Sequence, residues 1–298
     1  SMALLWLAVE ARLPVIVCGR MRTGKTSLIN ALLGLIPPDC SIAIVQDAPE
    51  IKTYHANVLY LYTSDRIGFE ELAKLSLRKS VDYLIVNEVR IREEAFWWAQ
   101  LVTTGHGGVT SIHSESLEGV FGRLREYGIG NELLRSIRVA VRTNLFLASV
   151  NGSRRRLRRV DRIYFLDDVS YLNLSGLAYS YVLREDRLVR KDGAESLLKY
   201  IENEAGTRLR REWELRTRFL QLSMRACKRA EEFWALHLKF RRDPELTIEQ
   251  LEDEYGVEEK MSKPQVVRIE EIRFCPRCGS ELSGDSKVCI KCGFRLVV

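Results

Sequence analysis

A chain of 298 residues holds one large domain with a smaller one, or two of medium size. Its 46% hydrophobic and 29% charged residues suit a globular protein with a sizeable core, and its longest apolar runs, Ala3–Val9 and Leu13–Cys18, are far too short to span a bilayer. A net charge of +6 and a pI near 8.9 are compatible with nucleic acid or anionic lipid without requiring either, and no basic leader with a cleavage site argues for secretion.

The first half alternates short β-branched runs with longer helical ones. The pattern predicts a strand over Val15–Cys18, a helix over Lys25–Leu35, a strand over Ile42–Val45 and a helix over Phe69–Arg78. A strand over Tyr83–Val86, a helix over Glu93–Thr103, a strand over Val109–Ile112 and a helix from Leu117 follow. Apolar strands separated by helices imply an α/β fold, a mostly parallel sheet with helices on both faces. Residues 139–165 read as a β-hairpin turning at Asn151-Gly152. From about residue 193, Leu209, Trp213, Leu220, Met224, Cys227 and Trp234 recur at helical spacing among charged residues, an amphipathic surface that needs a partner. Thr247-Ile-Glu-Gln250 reads as a capping box opening a helix that ends near Gly256. Residues 257–270 read as a linker.

Gly19-Arg-Met-Arg-Thr-Gly24-Lys25-Thr26 fits the G-x-x-x-x-G-K-[ST] pattern, with a strand before it and a helix after it. Its glycines let successive N–H groups and the helix N-terminus point at a phosphate. Lys25 would neutralise the β- and γ-phosphates of a nucleotide, and the Thr26 hydroxyl would coordinate Mg²⁺. Glu88 ends an apolar strand, and Asp47 and Glu50 follow another, so all three acids are placed to face one crevice; the bland alternative is helix caps or solvated loop charges. His106 and His113 flank one strand after a glycine-rich turn, which points to a phosphate sensor, although a lone His is more often structural.

These motifs and their order, with Val45-Gln-Asp-Ala-Pro-Glu50, Leu77-Arg78, Asn87-Glu-Val-Arg90 and Thr104-Gly-His…Ile112-His113, resemble the type II/IV secretion ATPases. Those are the hexameric motors of type II secretion, type IV pili, archaella and conjugation-like systems, and the archaeal members look closest. The resemblance covers about residues 3 to 165 and implies a RecA-like P-loop NTPase core over 1–165, followed by a mostly helical region over 166–256. It makes Gly19, Arg22, Thr23, Gly24, Lys25, Thr26, Ser27 and Asp47 nucleotide-binding residues. Glu88 becomes the Walker B acid, Glu50 the acid that positions or deprotonates water, and His113 the γ-phosphate sensor. Arg78 and Arg90 match arginines that complete the site or reach a neighbouring subunit.

The chain departs from the family pattern at four places. Gln46 replaces Glu, Asn87 replaces Gly, Ile91 follows Arg90 where Gly is common, and Arg20 and Arg22 crowd the loop. Secure binding with slow or partner-dependent hydrolysis is the expectation. Family members also carry a domain ahead of this core. With the first strand predicted at Val15, the expectation is a monomer or loose oligomer in place of a firm ring.

Of seven cysteines, Cys275, Cys278, Cys289 and Cys292 form two C-x-x-C-G knuckles ten residues apart, which suits a Zn²⁺ ribbon over 271–298. Cys18, Cys40 and Cys227 are scattered, a pattern of a reducing compartment. The ribbon's four-sulfur site is closed, which argues against metal catalysis; with Lys287 and Lys291 the only basic residues between Cys278 and Cys292 and no aromatic there, a protein contact or structural cap is favoured over base recognition. Ser153-Arg-Arg-Arg-Leu-Arg-Arg159 is a basic block that reads either as a solvated strand edge or as a phosphate- or lipid-docking surface.

The resemblance therefore implies a cytoplasmic ATP hydrolase at the inner face of the cell membrane. It would hydrolyse MgATP in a hexameric ring to power pilus assembly, secretion or DNA transfer, with a membrane platform protein as partner. Two alternatives stand beside it: a weakly hydrolysing, nucleotide-gated adaptor that recruits a partner through its ribbon, and a DNA-dependent motor.

Overall fold

Strand β1 (Val15–Gly19) is buried along its whole length because its alternate side chains enter two different cores. Val15 and Val17 face one core, Ile16 and Cys18 the other. β2 (Ile42–Gln46) and β4 (Tyr83–Val86) divide in the same way, with Ile42, Ile44, Tyr83 and Ile85 on the first face and Ala43, Val45, Leu84 and Val86 on the second. The computed structural model describes residues 1–150, 153–167, 176–255, 266–271, 273–274, 280–282 and 290–292. Within them lies one ten-stranded sheet, ordered β3-β2-β4-β5-β1-β6-β7-β8-β9, with β10 (Val266–Glu271) paired to β6. The remaining strands are β3 (Val58–Tyr62), β5 (Gly107–His113), β6 (Val139–Val150), β7 (Ser153–Phe165), β8 (Leu177–Val182) and β9 (Arg187–Arg190). Pairings from β3 through β1 to β6 are parallel, and β6 to β9 are antiparallel.

Helices cover both faces, as the alternating pattern predicts. On one side pack α3 (Phe69–Arg78), α4 (Arg92–Thr103), α5 (Leu117–Glu126) and α6 (Asn131–Arg135). On the other pack α1 (Met2–Glu10), α2 (Lys25–Leu33), α7 (Asp192–Ala205), α8 (Arg210–Ala226), α9 (Ala230–Arg242) and α10 (Pro244–Tyr255).

Several details differ from the sequence expectation. The region from residue 166, expected to be mostly helical, begins with β8 and β9, so the sheet runs on past residue 165. The capping box at Thr247 does not open a helix. α10 starts at Pro244, with the Asp243 carboxylate accepting from the Leu246 N–H at 3.0 Å, and Thr247 lies inside it, donating its hydroxyl to the Asp243 carbonyl at 2.7 Å. Proline at the first helical position, whose missing N–H costs nothing there, gives the physical reason. β3 and α1 carry no clear periodicity in sequence. In the ribbon segment a short pair, β11 (Arg273–Phe274) and β12 (Glu281–Leu282), is formed and Cys292 is half-buried, while Cys275, Cys278 and Cys289 lie outside the described residues.

The C-terminal helices pack on α1 through Phe219, His237 and Phe240; of the residues expected on their amphipathic face, Trp213 is buried whereas Met224 is 82% exposed. Every residue of α1 from Ala3 to Val9 is buried, as an all-round apolar helix must be. Trp6 is its centre, with ring centroids 5.8 Å from Phe219, 5.4 Å from Phe240 and 4.9 Å from His237. His237 has 0% exposure, and neither ring nitrogen has a hydrogen-bond partner among the described residues. Burial first, and the nearby charges of Arg241, His55 and Arg216 after it, push its pKa down to about 3.

A histidine held neutral in the folded state takes a proton more readily in the unfolded chain. Its contribution to stability is full above pH 6.5 and is lost as pH falls from there towards its folded value. Between pH 7 and pH 5 this group alone should remove about 2 kcal/mol of unfolding free energy. Urea titrations at the two pH values should show that loss in the parent chain and a smaller one in His237→Phe.

Candidate active site

The parallel strands β1, β5, β4 and β2 all end at one edge of the sheet, so the residues that follow them share a crevice. β1 delivers the 19–26 loop, β5 ends in His113, β4 leads to Asn87 and Glu88, and β2 leads to Asp47 and Glu50.

The loop is shaped by close approach. Gly19 has φ 155°, and a Cβ there would lie 2.4 Å from Thr143 Oγ1 and 2.6 Å from the Thr143 carbonyl oxygen. Gly24 caps α2 with φ 97°, a left-handed conformation that side chains disfavour. Between them Thr23 is buried, its hydroxyl 2.8 Å from both the Arg20 carbonyl and Thr143 Oγ1. Arg22 has φ 63° and is exposed, as is Ser27 on the first turn of α2. Arg20 is held outward by an ion pair with Glu115.

Lys25 is 9% exposed, and burial lowers its pKa from the ordinary lysine value. Its ammonium lies 3.1 Å from His113 Nδ1 and 3.3 Å from the Arg20 carbonyl. The other ring nitrogen of His113, Nε2, lies 2.6 Å from Glu88 Oε1. Burial, reinforced by the Lys25 charge, pushes the His113 pKa down, so the ring is neutral at pH 7. The tautomer this arrangement favours has Nδ1 accepting from Lys25 and the proton on Nε2, facing the carboxylate. This line exists because β5 lies between β1 and β4 in the sheet. His106, at the opposite end of β5, contacts Thr104 and the Leu101 carbonyl at the end of α4 instead. It is therefore a local structural contact and not a second sensor.

Glu50 approaches the loop from β2. Its Oε2 is 3.5 Å from Thr26 Oγ1 and accepts from Asn87 Nδ2 at 3.2 Å. Gln46 is buried, and its carbonyl oxygen accepts from the backbone N–H groups of Glu50 and Ile51 at 3.1 and 2.9 Å. Arg90 bridges two acids, donating to Asp47 at 2.7 Å and to Glu88 at 2.9 Å. That hydrogen bond holds the Asp47 carboxyl below its usual range. Burial pushes Glu94 up, although its carboxylate accepts from the N–H groups of Arg90 and Ile91.

The structure thus brings together Gly19, Thr23, Gly24, Lys25, Thr26, Asp47, Glu50, Glu88, Arg90 and His113. Arg78 is not among them. α3 begins with Phe69 beside Asp47 and Glu88, and Arg78 is exposed at its far end, about 13 Å along the axis. Sequence reasoning missed the bracing roles of Gln46, Asn87 and Thr143. The first two were visible only as departures from a family pattern, and Thr143 gave no signal.

Residues 2–152, just over half of the chain, match the family described as type II/IV secretion system protein. The chain belongs to that family. Residues 274–296 match the zinc-ribbon domain family. Among its relatives, the conjugal transfer protein TrbB of Rhizobium radiobacter is 35% identical over 123 residues, 40% of this chain and 38% of its own length. An uncharacterized protein of Methanocaldococcus jannaschii, MJ1287, is 43% identical over 130 residues, 41% of this chain and 48% of its own. This chain therefore aligns with less than half the length of either relative. The crystal structure of the VirB11 ATPase from the Brucella suis type IV secretion system, in complex with sulphate, superposes with a TM-score of 0.48 at 26% identity. That match covers 58% of this chain and 55% of that one.

Proposed function

We propose that the chain is the motor core of a type II/IV secretion ATPase that binds MgATP in the 19–26 loop and hydrolyses it. The work would be done in a hexameric ring at the inner face of the membrane, against a platform protein, to power pilus assembly, secretion or DNA transfer. No helix among the described residues is long and apolar enough to cross a membrane. The observation that carries the reading is the line from Lys25 through His113 to Glu88, beside the pair Thr26 and Glu50.

Each group has a role in that chemistry. The loop N–H groups and Lys25 bind the phosphates and offset negative charge as it develops on transfer. The Thr26 hydroxyl presents an oxygen donor that suits Mg²⁺, which when bound would neutralise charge on the β- and γ-phosphates. Glu50, held by Asn87 and Gln46, orients a water and accepts its proton. His113, in contact with both Lys25 and Glu88, registers whether the terminal phosphate is present. Exposed Arg78 is the arginine available to a neighbouring subunit. In the ribbon, Cys275, Cys278, Cys289 and Cys292 are a four-thiolate set that fits structural Zn²⁺.

Phosphate release with MgATP tests the reading. Turnover should be measurable, and Lys25→Ala should lower it by about 10²-fold or more. ATP binding with zero turnover would replace the motor by a nucleotide-gated adaptor. Stimulation by DNA that weakens steeply with salt would make it a nucleic-acid motor.

A further inference from the structure

The basic block has a definite position in the fold. Residues 155–159 of β7 pair with residues 144–148 of β6 on the part of the hairpin that extends past the end of β1. Leu145 lies opposite Arg158, and Leu147 opposite Arg156, so the period of two places these four on one face of the hairpin. Thr143, which braces the phosphate loop, begins that same face. The stem of Arg158 lies against the loop itself: a Cβ on Gly24 would be 3.6 Å from Arg158 Cδ and 3.8 Å from its Cβ.

Between the arm and Arg22 opens a cavity of about 440 Å³, floored by Leu145 and rimmed by Arg156 and Arg158. Arg159 is already engaged, donating from Nε and Nη2 to the two oxygens of Asp186 at 2.8 and 2.9 Å. Arg158 is exposed and carries no ion pair among the described residues.

The direction of a bound nucleotide follows from the groups around the loop. Lys25, His113 and Glu88 mark the terminal-phosphate end, and they lie on the β5–β4 flank of β1. A nucleotide whose β-phosphate sits on the loop N–H groups must then send its nucleoside to the opposite flank, where β6 and β7 stand.

We propose that the cavity between Arg22 and the β6–β7 arm is the nucleoside subsite, and that Arg158 is a nucleoside-binding residue whose guanidinium stacks on the base. A guanidinium plane packs on an aromatic face, and a buried leucine beneath gives the apolar contact that a purine needs. This assignment rests on the MgATP reading of the loop and adds to it which part of the chain holds the nucleoside. A basic arm alone would equally suit a polyanion, but contact with Gly24 ties Arg158 to the loop.

Calorimetric titration of the full chain with MgATP, inorganic triphosphate and duplex DNA tests it, using Arg158→Ala and Arg155→Ala. Arg155 is exposed and lies on the other face of the arm. Arg158→Ala should weaken MgATP at least tenfold and triphosphate less than threefold, and Arg155→Ala should change neither. Equal losses for MgATP and triphosphate would overturn the assignment, because Arg158 would then be a general phosphate cation. Unchanged MgATP affinity with DNA binding lost in both variants would overturn it in favour of a nucleic-acid surface. If the parent chain binds neither MgATP nor triphosphate, the nucleotide reading falls and the subsite with it; if it binds both and Arg158→Ala is silent, only the subsite falls.

Discussion

Replacing Glu50 with Gln is expected to lower MgATP turnover by about 10²- to 10³-fold while nucleotide affinity stays within a few-fold. The substitution keeps the shape of the side chain and removes the group that accepts a proton. Nothing else in the crevice is placed to replace it. Asp47 is engaged by Arg90, and Glu88 is shared between Arg90 and His113. Glu50 alone reaches the Thr26 hydroxyl. Steady-state phosphate release measured beside nucleotide affinity separates the two effects, and turnover within threefold of the parent would remove Glu50 from the chemistry.

The departures from the family pattern at residues 46 and 87 converge on this same side chain. Gln46 pins the backbone of Glu50 through two accepted N–H bonds, and Asn87 donates to its carboxylate. A neutral amide at 46 can be buried without the cost a carboxylate would carry there. The amide of Asn87 occupies an oxygen that would otherwise be free to take a proton from water. The two substitutions thus give a well-placed but restrained acid, a physical basis for the slow hydrolysis expected from the sequence.

The strands, the glycine-flanked 19–26 loop and the acids at strand ends were legible because local pattern determines them. Apolar runs leading into the 19–26 loop, Glu88 or Asp47 announce themselves within a few residues. Neighbour relations between strands were not legible in this way. That His113 meets both Lys25 and Glu88 depends on β5 lying between β1 and β4, an order set by crossover packing and not by any local signal. The contact of Arg158 with Gly24 likewise depends on the register of a hairpin more than a hundred residues downstream. Arg78 shows the converse limit, since a motif names a residue without saying which end of its helix faces the site. α1 was invisible for a third reason: seven apolar residues fit a strand or a buried helix equally well, and the surface that decides between them lies beyond residue 190.

That surface sets the largest expected stability effect. Trp6→Ala should destabilise the fold by about 3–5 kcal/mol, the range for removing a large buried ring. Trp6 has 0% exposure and touches rings from α8 and α9, so its loss opens a cavity where three helices meet. It also carries polar contacts that a smaller residue cannot replace. Its Nε1–H donates to Glu10 Oε1 at 2.9 Å, and the Arg216 guanidinium lies 5.1 Å from its ring centroid. Glu10 in turn accepts from Arg216 at 2.7 Å and pairs with Arg241, so the ring orders a carboxylate shared by two half-buried cations, of which Arg216 also pairs with Glu212. Trp6→Phe should cost less, because most of the ring volume stays and Glu10 keeps both arginines. Urea unfolding of the two variants gives the comparison. An unfolding free energy for Trp6→Ala within 1 kcal/mol of the parent, below the range for core truncations, would mean that α8 and α9 do not depend on α1 for their place. Since α1 runs directly into β1 and the 19–26 loop, that dependence is also the physical link between the C-terminal helices and the candidate site.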